Sequence, residues 1–198
     1  MKLNLPNKLT LLRVILIPLF MFFIIFPVAG NVWSAVIAAA LFGLTSLTDM
    51  FDGKIARKYN LITDFGKFLD PLADKVMVIG GFVALLCRAY ERGEVFNKVF
   101  ACVLFFIIFR ELAVTSMRLV VAGSSNVVIA ADMLGKVKTV SQIIALLVLI
   151  LEPAGYELLA LPDYCILSYI TLGFSLIMTV WSGVNYFIAY WPYINPDK

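Results

Sequence analysis

Apolar residues run through this chain in long blocks, and the polar positions come in short clusters between them. No side chain from Val14 to Thr48 is charged, and none from Tyr164 to Pro196. Each run exceeds the roughly 20 residues that a helix needs to cross a bilayer. Pro27, Gly30 and Asn31 interrupt the first run, which predicts two helices, near 10–28 and 32–58. Further helices are expected near 66–90, 96–122, 132–152 and 163–190, the last after a connection from Pro153 to Pro162. Ahead of them all, LNLPNKLT reads as a short amphipathic segment at the interface, started by Pro6 and Asn7. The expectation is an all-α integral membrane protein, a single domain over residues 1–198. It has six transmembrane helices and a short N-terminal amphipathic segment.

Composition supports this. Of 198 residues, 62% are hydrophobic and 15% charged, with a mean hydropathy of +0.97; a soluble domain is nearer half apolar. Histidine is absent, which excludes imidazole acid–base chemistry and His-ligated zinc. Cys87, Cys102 and Cys165 lie far apart in or beside apolar segments, as small core residues rather than a disulfide or metal site. Lys2, Lys8 and Arg13 precede an apolar run that superficially resembles a signal peptide. That run is long, contains Pro18 and lacks a small-x-small cleavage site, so an uncleaved first helix is expected. With the N-terminus in the cytoplasm, 13 of the 16 Lys and Arg residues fall inside. The positive-inside rule then places both termini in the cytoplasm of a plasma-membrane protein. Arg88, Arg92 and Lys98 dissent from the outer side, diluted by Glu91 and Glu94. No nucleic-acid partner is expected.

Helices three, four and five have charge-free cores of only 11 to 13 residues. Asp70, Asp74, Arg110, Glu111 and Arg118 therefore lie at or below headgroup level, where ionised groups face a bundle interior or a wet cavity. Asp49 and Asp52, at i, i+3, share a face at the inner end of helix two. Asp70 and Asp74, at i, i+4, share one at the start of helix three. Four carboxylates brought together would repel one another and raise each other's pKa. Oxygen ligands without His or Cys suit Mg²⁺ or Mn²⁺, and four carboxylates match what a two-metal phosphoryl-transfer site uses. Two other readings stand beside this one. One is a solvated acidic turn neutralised by Lys54, Arg57, Lys58 and Lys67; the other is an ion-coupled transporter with intramembrane aspartates. Gly53, Ala56 and Gly66 favour a site, because small residues let a flat ligand approach the backbone.

The pattern Asp49-x2-Asp52-Gly53-x2-Ala56-Arg57-x8-Gly66-x3-Asp70-x3-Asp74 resembles the signature of the CDP-alcohol phosphatidyltransferase family at every defined position. LNLPNKLTLLRVILIPLF, FRELAVTSMRL and LGKVKT resemble the branch that uses sn-glycerol 3-phosphate as acceptor. The resemblance implies transfer of a phosphatidyl group from CDP-diacylglycerol, with release of CMP, and a homodimer. It implies that Asp49, Asp52 and Asp70 ligate metal, and that Asp74 is both ligand and general base. Gly53, Ala56 and Gly66 would make room for the nucleotide, and Arg57 would meet its phosphates. Arg110, Arg118 and Lys136 would bind the acceptor's phosphate, with Thr10 in an N-terminal element, beside Asn7 and Arg13, that closes over the site.

Plainer readings of the same residues exist. Glu111, Thr115 and Arg118 share a face, so a Glu111–Arg118 ion pair with Arg110 reaching for headgroups would account for helix four. Lys138 serves lipid headgroups equally well. Trp181, Tyr186, Tyr190, Trp191 and Tyr193 read as an interfacial aromatic belt. Within the same chemistry, another acceptor such as inositol phosphate remains open. A transporter would need polar residues in the outer halves of helices two and six, which have almost none.

Overall fold

The computed structural model describes residues 4–58, 63–125 and 133–193, without the side chains at 5, 6, 49–58, 64, 67, 122, 124 and 125. Among these residues the chain forms six α-helices, two short 3₁₀ turns and no strand. The helices are α1 (Leu5–Ile25), α2 (Asn31–Lys58), α3 (Asp64–Ala89), α4 (Glu94–Ser125), α5 (Met133–Leu158) and α6 (Ile166–Tyr190). α1 packs on α2 and α3, α5 on α2, α3 and α6, and α4 on α3 and α6.

Among the described residues, five helices are long and apolar enough to span a membrane and α3 is not. Its first turns carry Asp64, Lys67, Asp70, Asp74 and Lys75. α3 nonetheless contributes to the core, with Ala73, Met77, Phe82 and Ala84 all buried. At Gly81 an added Cβ would lie 3.0 Å from Leu146 and 3.5 Å from Phe20, so glycine is what lets α1 and α5 close on α3. Phe20 and Phe42 meet edge to face at 5.5 Å in the same core.

Lipid tails are as apolar as leucine, so helices in a membrane associate through close packing and interhelical hydrogen bonds. α6 follows this rule. Ser168, Leu172, Ser175, Thr179, Ser182 and Tyr186 are all buried, at alternating spacings of four and three, and Tyr190 follows one turn on. That is the seam of a left-handed helix pair. Gln142 of α5 donates to the Thr179 hydroxyl across it at 3.2 Å. Ile15, Phe105, Ile170, Ile177 and Ile188 point outward instead.

Two boundaries differ from expectation. The N-terminal amphipathic segment is no separate element: Asn4 caps α1 by accepting from Asn7 N, Pro6 sits in its first turn, and the helix then runs unbroken through Pro18. α5 does not stop at Glu152 but continues through Pro153 to Leu158. It ends in a Schellman motif, with Leu161 N bonded to Tyr156 O at 3.0 Å and Ala160 N to Glu157 O at 3.1 Å. The residue in the left-handed position is Ala160 (φ +53°), where a side chain costs about 1–2 kcal/mol. Of the cysteines, Cys165 is buried as expected, whereas Cys87 and Cys102 are exposed on the outside of the bundle.

The three dissenting cations are all paired. Arg88 bonds Glu91, and Lys98 pairs with Glu94. Arg92 lies in a buried network: its guanidinium reaches Glu152 at 2.7 Å, Asp163 at 2.6 and 2.9 Å and Ser168 at 2.8 Å. Burial opposes the charge of Arg92, but bonds to Asp163 and Glu152 outweigh it and raise its pKa. Burial likewise works against ionised Asp163, and Arg92 together with Cys165 N–H brings its pKa below the ordinary value. Burial pushes the Cys165 thiol up to about 11, so it stays protonated.

Candidate active site

The start of α3 is built on the start of α1. Thr63 caps α3 by accepting from Gly66 N at 3.0 Å, and its hydroxyl donates to Asn7 Oδ1 at 3.0 Å. One turn along each helix, Thr10 Oγ1 donates to Asp70 Oδ1 at 2.7 Å. Asn7, Thr10 and Arg13 form the buried face of α1 here. The expected N-terminal element over the site is thus present. Thr10, however, is directed at a carboxylate of the aspartate motif rather than at the cations. Gly66 is also engaged from this side: an added Cβ would stand 3.2 Å from Asn7 Oδ1 and 3.3 Å from Thr63 Oγ1. Its smallness admits α1.

Asp70 and Asp74 occupy one face of α3, as their spacing requires. Among the described residues, the Thr10 bond is the only hydrogen bond of Asp70, and no cation pairs with it. Asp49, Asp52, Gly53, Ala56 and Arg57 lie on the last turns of α2, but their side chains fall outside the described residues. Among the described residues no three Asp, Glu, Cys or His side chains meet. The donor set is carboxylate and hydroxyl oxygen, which fits a hard divalent cation.

The cations of α4 and α5 differ from the plain reading. Glu111 does not pair with Arg118; it bonds Lys138 of α5, and Arg110 Nη1 lies 3.4 Å away. Lys138 is buried in this pair, not turned to lipid headgroups, and Asp74 is close enough to act on its ammonium electrostatically. Arg110 Nη2 donates to Ser182 Oγ of α6 at 2.7 Å. Arg118 is exposed and donates to Tyr186 Oη at 2.6 Å, and no carboxylate pairs with it among the described residues. Lys136, two residues from Lys138 and so turned to the other side of α5, is exposed. The structure therefore brings Arg110 and Lys138 together around Glu111 and leaves Arg118 and Lys136 reachable.

The aromatic residues divide. Trp181, Trp191 and Tyr193 are exposed, as a belt requires. Tyr186 and Tyr190 are not part of it: they are 4% and 3% exposed and stack with centroids 6.1 Å apart. Sequence reasoning missed Tyr186, although it falls in register with the buried Ser and Thr positions of α6.

Residues 3–181 match the model of the CDP-alcohol phosphatidyltransferase family. A CDP-diacylglycerol–glycerol-3-phosphate 3-phosphatidyltransferase of Bacillus subtilis (strain 168) is 43% identical over 197 residues, 95% of each chain. Proteins of the same name from Pseudomonas fluorescens and Rickettsia bellii are 35% and 38% identical, with 93% and 94% of their own lengths covered and 98% and 94% of this chain. With its motif aspartates on α2 and α3 and matches along nearly its whole length, this chain belongs to the CDP-alcohol phosphatidyltransferase family.

Proposed function

We infer that the chain transfers the phosphatidyl group of CDP-diacylglycerol to sn-glycerol 3-phosphate, giving phosphatidylglycerophosphate and CMP. A bond forms between the acceptor's primary hydroxyl oxygen and the lipid-side phosphorus, and the bond from that phosphorus to CMP breaks. Asp74 takes the hydroxyl proton. Asp49, Asp52, Asp70 and Asp74 hold two divalent cations, Mg²⁺ or Mn²⁺. These ions, when bound, draw charge from the pyrophosphate and from the departing CMP. Gly53 and Ala56 leave room for the cytidine, Arg57 meets its phosphates, and Gly66 keeps α1 against α3. Thr10 holds Asp70 in position. Arg110, Arg118 and Lys136 bind the phosphate of the acceptor, and Lys138 neutralises Glu111 so that the carboxylate does not repel it.

The observation that carries the choice of acceptor is Arg118, an exposed guanidinium with a neutral partner. An uncharged acceptor has no use for it, whereas a phosphate matches its planar fork. We place the site at the cytoplasmic face of the plasma membrane, both termini inside, in a homodimer. The excess of Lys and Arg at that end supports the orientation. The test is CMP release from CDP-diacylglycerol by purified protein, across glycerol 3-phosphate, inositol phosphate, serine and choline. Turnover with glycerol 3-phosphate alone, abolished by EDTA and restored by Mg²⁺ or Mn²⁺, is expected. Preference for another acceptor, or full activity after chelation, refutes the reading.

A further inference from the structure

We propose that Tyr186 is a positioning residue for the acceptor: it fixes the Arg118 guanidinium toward the incoming phosphate without neutralising it, and so sets affinity for the phosphorylated acceptor. The inference rests on the acceptor-binding role given above to Arg118. Arg110 and Arg118 stand eight residues apart on α4, roughly 12 Å along the axis. Tyr186 of α6 lies beside both, with guanidinium carbons 5.4 Å and 4.8 Å from its ring centroid. Its phenol oxygen accepts from Arg118 Nη2 at 2.6 Å. The ring is itself immobilised. It is buried, stacked on Tyr190, and pressed from α5, where a Cβ on Gly135 would come 3.3 Å from the phenol oxygen.

The chemical identity of the partner is what matters. A carboxylate would orient Arg118 equally well, but it would cancel the charge that the acceptor's phosphate needs. A phenol orients through one hydrogen bond and adds the favourable field of its ring. Arg118 spends one of its five N–H donors on it and keeps the rest for ligand. An exposed arginine with no such anchor samples many rotamers, and binding must then order it at a cost in affinity.

The experiment is steady-state CMP release by the full-length enzyme in detergent–lipid micelles, varying each substrate in turn. Tyr186→Phe keeps the ring and deletes the phenol oxygen. KM for glycerol 3-phosphate should rise roughly tenfold, the lower end for a hydrogen bond to a charged group. KM for CDP-diacylglycerol and the apparent metal constant should stay within about twofold. In an Arg118→Ala background, Tyr186→Phe should add nothing further, because it acts through that arginine. If Arg118→Ala raises KM for glycerol 3-phosphate and Tyr186→Phe does not, the inference is overturned while the acceptor role of Arg118 survives. If Arg118→Ala itself leaves that KM unchanged, both readings fall. A fall in kcat alone, or an equal rise in both KM values, marks Tyr186 as packing and overturns the inference. Should Tyr186→Phe not yield folded protein, Gly135→Ala displaces the phenol from the other side. It should raise the same KM, and an unchanged value then refutes the proposal.

Discussion

Replacing Thr10 by valine removes one hydroxyl and little else. The two side chains have nearly the same shape, and position 10 is 1% exposed, so no cavity opens and no water enters. Among the bonds lost is the 2.7 Å one to Asp70 Oδ1, the only hydrogen bond that Asp70 makes among the described residues. A hydrogen bond to a charged group is worth about 1.5–3 kcal/mol. Partners that orient a metal-ligating carboxylate change metal affinity or activity by about 10–100-fold when removed. The two figures agree, since 1.4 kcal/mol corresponds to about a factor of ten.

Thr10→Val should therefore raise the Mg²⁺ or Mn²⁺ concentration for half-maximal CMP release by about 10–100-fold. KM for glycerol 3-phosphate at saturating metal should not change, and Thr10→Ser should behave as wild type. Binding of Mn²⁺, followed by its paramagnetic resonance signal, checks the affinity without turnover. An unchanged metal curve with a raised KM for glycerol 3-phosphate would return Thr10 to the acceptor pocket, the role the family resemblance implies. No change in either quantity would leave the Thr10–Asp70 bond without consequence for the chemistry.

Asp74→Asn keeps the shape of the side chain but cannot take a proton, so kcat at saturating metal should fall by about 10²–10⁴. CDP-diacylglycerol affinity should persist; retention of more than about a tenth of wild-type kcat would assign the base elsewhere. At the other end of the bundle, the pKa of Asp163 is lowered by Arg92 and Cys165 N–H against burial, so its stabilisation is present above the unfolded value of about 3.9 and is lost as pH falls through the lower folded value. The Tm in detergent should drop on acidification below about pH 4. Asp163→Asn should be less stable at neutral pH and flatter in that acid range, and an unchanged acid slope would refute the assignment.

Six helices and the aspartate motif were legible in the sequence because both depend on local spacing. Apolar runs fix helix lengths, and i, i+3 and i, i+4 intervals fix which carboxylates share a face. Partner choice was less legible, because it depends on packing between helices. Spacing along α4 puts Glu111 and Arg118 on one face, yet Glu111 pairs with Lys138, 27 residues away. Proline rules alone stop α5 at Pro153, but Glu152 must cap the first turn of α6 through Leu167 N and Ser168 N, and the helix carries on beyond it. Tyr186 was read by composition, as an aromatic near a membrane face. The four-and-three spacing of Ser168, Leu172, Ser175, Thr179 and Ser182 leads directly to it, and that pattern was available without a structure.

The two ends of the bundle treat charge in opposite ways, and the contrast separates structural from functional ions. Arg92 has Glu152 and Asp163 as partners, and Glu152 also accepts from Ser168 Oγ and from two backbone N–H groups of α6. Each charge there has an opposite charge beside it and each carboxylate oxygen accepts at least one hydrogen bond, the condition under which a buried ion pair is tolerated. The network borders a cleft of about 290 Å³ that Arg92 and Asp163 line together with Phe23, Leu85 and Phe96. At the opposite end, Asp70 receives a threonine hydroxyl and Arg118 a tyrosine phenol. Neutral partners hold direction and leave charge intact. A chain selected for stability alone would pair Asp70 and Arg118 with opposite charges, as it does Arg92. Among the described residues neither meets an opposite charge, an arrangement that costs stability and that proteins accept where a ligand supplies the missing charge. Under the function proposed above, the hydroxyl on Asp70 and the phenol on Arg118 would be the same device used twice, the first serving cations and the second phosphate.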